Sequence, residues 1–377
     1  MEKQYVFSAP GRTEIAGNHT DHQHGCVLAA AVDLETVANV LVNDSDLIEI
    51  QSEGYPLITV ELNDLTVHEE EKNTTTALIR GVANAFVQRG AKLSGFRAEV
   101  HSSVLPGSGL SSSAAFEVLI GTILNELFFD KKLNAIEIAQ IGQYAENIYF
   151  GKPCGLMDQM ASSVGGMVYI DFADPDNPVV QKVDADLTKF GYGLCIIDTG
   201  ADHADLTDEY AAIPGELAEL CKCFGKRYLR EIPKAEFVEK IAEIRGKVTD
   251  RAILRALHIY QENDRVRQLV EALRWDDIDA FLDLIKESGR SSWMYLQNIT
   301  PVGAVEHQEV AVALALCETY LKGQGAFRVH GGGFAGTVQA FVPLDMLDSF
   351  KVSIDAVLGE NACHILNIRK QGGIRVN

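Results

Sequence analysis

Long hydrophobic runs are missing from this sequence, since no apolar stretch in its 377 residues reaches the roughly 18 residues that a membrane-spanning helix needs. The N-terminus lacks the charged start and apolar stretch of a signal peptide. The seven cysteines form an odd, scattered set, and Cys221 and Cys223 have no second pair with which to bind a metal. We therefore expect a cytoplasmic protein with free thiols and no membrane partner.

Basic residues are also scarce, with 33 lysines and arginines against 53 aspartates and glutamates, a formal net charge of -20. A nucleic-acid-binding protein would need a basic face, so this class is disfavoured. Phosphate binding is not excluded, because one Mg2+ ion and a few local donors can outweigh the global field. The sequence does not fix the oligomeric state, for which we expect a monomer or a weak dimer.

Strand-like and helix-like patterns are mixed along the chain without strict alternation. Spacing of apolar residues predicts a helix over residues 75–89, and Asn134 with Glu137 three residues later predicts a capped helix running towards Phe150. The later part of the chain is mostly helical in pattern. This mixture predicts an α+β fold with two domains, residues 1–195 and 196–377.

A run of small residues, Pro106 to Ala115, directly precedes an amphipathic helix. Small residues let the backbone approach a ligand, and a helix start presents unpaired N–H donors and the positive end of its dipole. This arrangement suits ATP phosphates, although a plain helix cap is the alternative. The predicted ATP-binding residues are Pro106, Gly107, Ser108, Gly109, Leu110, Ser111, Ser112, Ser113 and Ala114.

A second glycine-rich segment, His330 to Gly336, contains a literal GxGxxG pattern. A dinucleotide-binding fold would need a helix after this pattern, but the residues that follow are strand-like. We therefore reject that interpretation and expect a tight turn.

Polar and charged residues crowd the segment 9–25. An arginine such as Arg12 can stabilise charge on a transferring phosphoryl group, and a carboxylate such as Asp21 can accept two sugar hydroxyls. The three histidines of this segment suggest zinc, but their spacing does not match HExxH and no cysteine joins them.

Two further carboxylates are candidates for chemistry. Asp158 lies between apolar residues, where its pKa could be shifted to suit a general base. The alternative is that Asp158 caps a helix. Glu146 lies on a predicted helix and could bind Mg2+, although taken alone it reads as a surface glutamate.

These segments, in this order, resemble the GHMP kinase superfamily and most closely the galactokinases. The resemblance implies an N-terminal domain similar to ribosomal S5 domain 2 and a ferredoxin-like C-terminal domain with extra helices. It implies an ATP-dependent sugar 1-kinase, with galactose as the acceptor. The implied residues are Arg12 and Asp158 for catalysis, Asn18, His19, Asp21, Gly155, Asp158 and Tyr210 for the sugar, and Ser113 and Glu146 for Mg2+.

One position departs from the galactokinase pattern. Galactokinases usually have Glu where this chain has Asn18, and that Glu is expected to contact the C6 hydroxyl. Plant galacturonate kinases lack it and have a stretch similar to His19–Gln23, so galacturonate is the alternative acceptor. A sensor without catalysis and a kinase for a mevalonate-type or homoserine-type alcohol are less favoured, because Arg12 and Asp158 are both present and the segment around Asp21 favours a sugar.

Overall fold

The computed structural model describes residues 4–104, 109–201 and 206–377, which fall into two compact units. Unit 1 contains residues 1–13, 30–166 and 368–377, and unit 2 contains residues 14–29 and 167–367. Neither unit is continuous in sequence. The predicted division at residue 195 followed chain order, whereas unit 1 takes in residues 368–377, whose strand Ile374–Arg375 pairs with the first strand of the chain.

Strands are numbered in chain order through the described residues. They are β1 (Gln4–Ala16), β2 (Cys26–Val42), β3 (Leu47–Ser52), β4 (Ile58–Glu61), β5 (Phe96–Ser102), β6 (Met167–Asp171), β7 (Val179–Val183), β8 (Tyr192–Asp198), β9 (Ala326–His330), β10 (Thr337–Pro343), β11 (Cys363–Leu366) and β12 (Ile374–Arg375).

Helices are numbered in the same way. They are α1 (Thr75–Gln88), α2 (Ser112–Phe128), α3 (Ala135–Tyr144), α4 (Met157–Val164), α5 (Thr207–Lys222), α6 (Lys234–Ile244), α7 (Asp250–Arg274), α8 (Ile278–Ser291), α9 (Glu309–Leu321) and α10 (Leu347–Leu358). Two π-helical turns, Ala145–Phe150 and Ser292–Leu296, follow α3 and α8 directly.

The sheet of unit 1 has the strand order β12-β1-β2-β5-β3-β4. β3 runs parallel to β5, whereas β12 is antiparallel to β1 and β4 to β3. The side chains of β5 alternate between buried and exposed, as expected for a strand with one face on the core. Helices α1 to α3 contribute to the same core, in which Phe86 and Phe96 are fully buried.

Helix α3 of unit 1 begins where its capping residue predicts. Asn134 accepts hydrogen bonds from the backbone N–H groups of Ile136 and Glu137, at 2.9 and 3.1 Å, and Glu137 accepts from the Asn134 N–H at 2.9 Å. This is a complete capping box at the start of α3, and it confirms the prediction from sequence.

Unit 2 has an antiparallel sheet in the order β11-β8-β10-β9. Helices α9 and α10 complete one core with this sheet, and α5 to α7 form a second core around Leu217 and Phe237. The β9–β10 hairpin ends in the glycine loop, which we define as Gly331–Gly336. A strand therefore follows this loop, as the rejection of a dinucleotide fold requires. No helix in the described part of the chain combines the length and apolarity needed to cross a bilayer.

Candidate active site

Unit 1 brings Arg12 and Asp158 together. Arg12 lies on β1, and Asp158 lies in the first turn of α4. Arg12 donates from Nε to Asp158 Oδ1 and from Nη2 to Asp158 Oδ2, both at 2.7 Å. Two parallel charge-assisted bonds fix the plane of the carboxylate as well as its position.

The environment of Asp158 keeps it ionised. Burial alone would raise the pKa of this carboxyl group, but the charge and hydrogen bonds of Arg12, with a further hydrogen bond from Ser111, hold the pKa below its ordinary value. The group is therefore a carboxylate at neutral pH and can accept a proton. Gly155, three residues earlier, is exposed.

Arg12 also fixes the loop before α2. Its Nη1 donates to the carbonyl oxygen of Gly109, and its backbone N–H donates to the Leu110 oxygen at 2.9 Å. Gly11 permits this approach, because a Cβ at that position would lie 3.1 Å from the Leu110 oxygen. One arginine thus holds both the candidate base and the candidate phosphate loop within unit 1.

The start of α2 has the form expected of an anion site. Ser111 has a left-handed backbone with φ of 56°, and the helix begins at Ser112. Ser113 is half-buried in the first turn, and Ala114 is buried. The N–H groups of such a first turn suit a phosphate. Pro106, Gly107 and Ser108 lie outside the described residues.

Three buried polar side chains, one each from α2, α4 and the π-helical turn after α3, meet in unit 1. Gln159 donates from Nε2 to Glu117 Oε2 at 3.0 Å and to Glu146 Oε2 at 2.8 Å. Glu146 lies on the π-helical turn after α3, and its Oε1 is 3.8 Å from Lys152 Nζ. π-Helical turns occur frequently at functional sites.

Within this cluster, Glu146 is the carboxylate that suits a divalent cation. Burial, and then the negative charge of Glu146, raise the pKa of Glu117 well above its ordinary value. Glu117 Oε1 has no hydrogen-bond partner among the described residues. Over the same residues no group of three or more His, Cys, Asp and Glu side chains could hold a metal alone. Mg2+ in nucleotide enzymes needs only one or two carboxylates beside phosphate oxygens, which Glu146 and the Ser113 hydroxyl can accompany.

Unit 2 holds the polar turn of residues 17–25. Thr20 Oγ1 donates to the Gly17 oxygen at 2.9 Å or to the Cys26 oxygen at 2.6 Å, and so closes the turn. His19 has a left-handed backbone with φ of 60°, which is uncommon outside glycine and is often found at functional sites. Asp21 is half-buried, and its Oδ1 accepts from the His22 N–H at 2.8 Å.

Asn18 is fully buried, and its hydrogen bonds lie within unit 2. Its Nδ2 donates to the Gly331 oxygen at 2.6 Å and to Glu14 Oε1 at 3.3 Å. Its Oδ1 accepts from Asn298 Nδ2 at 2.9 Å and from Ser292 Oγ at 3.3 Å. These four bonds use both amide protons and both lone pairs of the oxygen. The geometry therefore favours Asn18 as an anchor for the glycine loop.

The glycine loop is held through three successive carbonyl groups. Beside the bond from Asn18 to Gly331, the Gly332 oxygen lies 3.0 Å from His19 Nε2, and the Gly333 oxygen accepts from the Tyr210 hydroxyl at 2.9 Å. Gly332 is packed so closely that a Cβ there would lie 2.6 Å from Tyr210 Cε1. Tyr210, on α5, therefore needs glycine at this position.

The predicted site residues form two groups. In unit 1 the structure places Arg12 and Asp158 beside the start of α2, with Glu146 and Gly155 in the same unit. In unit 2 it places Asn18, His19, Asp21 and Tyr210 around the glycine loop.

Sequence reasoning missed Glu117, Gln159 and Asn298. Glu117 lies outside the apolar stripe of α2 and reads as a surface residue, yet it is 1% exposed. The available signal was that the residues around Glu117 are apolar on every side of the helix, which is typical of a buried helix. Gln159 and Asn298 carry no such signal, because amides are common on surfaces.

Comparison with known proteins identifies the family. The GHMP kinases N terminal domain matches residues 77–166, and the galactokinase galactose-binding signature matches residues 1–40. A galactokinase from Actinobacillus pleuropneumoniae serotype 3 (strain JL03) is 30% identical over 352 residues, which cover 92% of this chain and 87% of that protein. The chain belongs to the galactokinase family. A galactokinase from Glaesserella parasuis serovar 5 (strain SH0165) is 29% identical, with 99% of this chain and 91% of that protein covered.

Solved structures agree on the fold. The galactokinase of Lactococcus lactis in complex with galactose has a TM-score of 0.83 at 24% identity and covers 99% of this chain and 95% of its own. The mevalonate kinase of Methanococcus jannaschii has a TM-score of 0.65 at 13% identity, with 97% of this chain and 98% of its own covered. The predicted α+β GHMP kinase fold, the family and the class of ATP-dependent sugar kinase are confirmed.

The contact between Gly332 and Tyr210 makes a prediction about packing. Gly332→Ala should destabilise the protein by about 1–3 kcal/mol, because the added methyl group overlaps the tyrosine ring. In a Tyr210→Ala background the same change should cost much less, which urea unfolding of the four proteins will measure. Gly215→Ala in α5, where a Cβ meets nothing, is the control. Equal costs in both backgrounds would contradict this packing.

Proposed function

We propose that this protein transfers the γ-phosphate of ATP to the C1 hydroxyl of D-galactose, giving galactose 1-phosphate and ADP. The observation that carries the proposal is the Arg12–Asp158 pair, held beside the start of α2 in a chain of the galactokinase family. Phosphoryl transfer depends mainly on positioning and charge stabilisation, and these residues supply both.

Asp158 is the proposed general base. Its ionised carboxylate accepts the proton of the C1 hydroxyl as that oxygen forms a bond to the γ-phosphorus and the bond to the β-phosphate oxygen breaks. Arg12 keeps Asp158 ionised and oriented, and its positive charge offsets the negative charge that the phosphoryl group carries during transfer.

We assign the nucleotide phosphates to the start of α2 and Mg2+ to Ser113 and Glu146. Mg2+ supplies positive charge that neutralises the phosphate oxygens. Gln159 orients the Glu146 carboxylate through its 2.8 Å bond, and the same amide bonds Glu117. Burial, and then the charge of Glu146, raise the pKa of Glu117 and favour its neutral form.

The sugar is assigned to Asp21, Tyr210 and Gly155, with Asp21 accepting two sugar hydroxyls and His19 holding the turn that carries Asp21 against the Gly332 oxygen. The Asn18 side chain is occupied by four bonds within unit 2, so the change from Glu does not by itself create a donor for a C6 carboxylate. The curated relatives that cover nearly the whole chain are galactokinases. Galactose is therefore the preferred acceptor over galacturonate, and we assign the reaction to the cytoplasm.

A panel of acceptors tests the proposal. The purified protein with ATP and Mg2+ should phosphorylate galactose with kcat/KM at least about tenfold above galacturonate, glucose and N-acetylgalactosamine, measured by coupled detection of ADP. Product analysis should place the phosphate on C1. Turnover of galacturonate in preference to galactose would overturn the substrate assignment, and no turnover of any sugar would overturn the function.

Asp158→Asn should lower kcat by about 10²–10⁴-fold, because an amide cannot accept the proton of the attacking hydroxyl. Nucleotide binding, measured by calorimetry, should change by less than about threefold, since α2 is unaltered. The matched control is Asp283→Asn on α8, a carboxylate paired with Lys286 outside the proposed machinery. A kcat for Asp158→Asn like that of the wild type would remove the base role.

Glu146→Gln should raise the Mg2+ concentration needed for half-maximal nucleotide binding by about tenfold or more, because a charged ligand is lost. Calorimetric titration of ATP at fixed Mg2+ concentrations gives this value without reference to turnover. Glu137→Gln keeps the capping box of α3 and should leave the value unchanged. If both variants behave alike, Glu146 is not a ligand.

A further inference from the structure

A continuous chain of hydrogen bonds runs through the turn that carries Asp21. The Leu229 N–H donates to Gln23 Oε1 at 3.1 Å, and Gln23 Nε2 lies 3.2 Å from His22 Nδ1. His22 Nε2 lies 3.2 Å from His19 Nδ1, and His19 Nε2 lies 3.0 Å from the Gly332 oxygen. We call this series the Gln23–His22–His19 relay, and every member of it belongs to unit 2.

The two ends of the relay fix the direction of every bond. A backbone N–H can only donate, so the Gln23 oxygen must face Leu229 and its NH2 group must face His22. His22 therefore accepts at Nδ1 and carries its proton on Nε2, which donates to His19 Nδ1. His19 then carries its proton on Nε2 and donates to Gly332, whose carbonyl can only accept. With both histidines neutral, this is the arrangement that satisfies all four contacts.

The surroundings favour neutral rings. Burial lowers the pKa of His19, and burial with the neighbouring His19 ring lowers the pKa of His22 to about 3. The charged groups that act on His19 are Glu14 on β1, which raises its pKa, and Arg255 on α7 and Arg328 on β9, which lower it.

We propose that His22 and Gln23 are positioning residues for sugar binding, which hold His19 as the neutral Nε2–H tautomer and so fix the Gly332 carbonyl against the Asp21 turn. The proposal rests on the proposed function, because it assigns Asp21 to the sugar. Asp21 lies between the two histidines in sequence, and its carboxylate accepts a hydrogen bond from the His22 N–H. His22 therefore takes part in the relay through its ring and orients Asp21 through its backbone.

Substitution of His22 separates positioning from chemistry. His22→Leu breaks the relay and should raise the KM for galactose by about tenfold while kcat changes by less than about threefold, because no transition-state contact is lost. His22→Gln can accept from Gln23 and donate to His19, so it should restore KM to within about threefold of wild type. His101→Leu, at an exposed histidine of β5, is the matched control. An unchanged KM in His22→Leu, or no rescue by His22→Gln, would overturn the proposal.

Gln23→Glu tests the direction of the bonds with almost no change of shape. A carboxylate accepts from Leu229 but cannot donate to His22, so the relay can be completed only when His22 is protonated on both nitrogens. A neighbouring carboxylate raises the pKa of a histidine, by about 1–3 units at such a distance. The KM ratio of variant to wild type should therefore be high at pH 8 and fall towards one only as the pH drops below about 6. A ratio that is flat or rises with acid would contradict the relay.

Nitrogen-15 NMR of labelled imidazole groups reports the charge and tautomer of each histidine in the relay, without any assay of turnover. In the wild type both rings should stay neutral, with the proton on Nε2, from pH 8 to about pH 5. In Gln23→Glu, the charged form of His22 should already appear at about pH 5, where the wild-type ring is still neutral. Titration of His19 or His22 near pH 6.5 in the wild type would overturn the relay, even if the protein phosphorylates galactose. If the predicted tautomers are found in a protein that does not phosphorylate galactose, only the proposed function is wrong.

Discussion

The bidentate pair between Arg12 and Asp158 is the interaction on which the rest of the candidate site depends. This partly buried ion pair contributes little net stability, because desolvation offsets the attraction, but it penalises any arrangement that leaves one charge alone. Here the arginine also bonds the Gly109 and Leu110 carbonyls, so strand β1, the loop before α2 and the start of α4 are specified together. The charge that orients the candidate base also keeps it deprotonated, which links local structure to chemistry through one side chain.

The parts of the fold and of the candidate site that depend on local chemistry could be predicted from the sequence. The capping box at Asn134 and the small residues before α2 act on their own backbone, so their outcome does not depend on distant residues. Glu117 and helix α4 could not be read in this way. The burial of Glu117 comes from α3 and α4 packing around α2, and α4 is only eight residues long, too short to show a helical period.

Asn18 shows a limit of reasoning from a single departure within a motif. The change from Glu to Asn suggested a change in how the C6 group of the sugar is recognised. The sequence shows that a negative charge is lost, but it does not show the hydrogen-bond partners of the new side chain. The structure shows an amide whose partners come from β1, the π-helical turn after α8, Asn298 and the glycine loop. Three of these partners lie more than 270 positions away in the chain, so no local sequence pattern predicts these contacts.

The pairing of β12 with β1 has a consequence for biosynthesis. Phe7 and Ser8 lie opposite Arg375 and Ile374, so the sheet that carries Arg12 lacks this edge strand until β12, far downstream in the chain, has been translated. Domains of a growing polypeptide generally fold from the N-terminal side, but here β1 must wait for β12 to complete its pairing. Until then the outer edge of β1 presents unpaired backbone groups, which are open to pairing with strands of other chains.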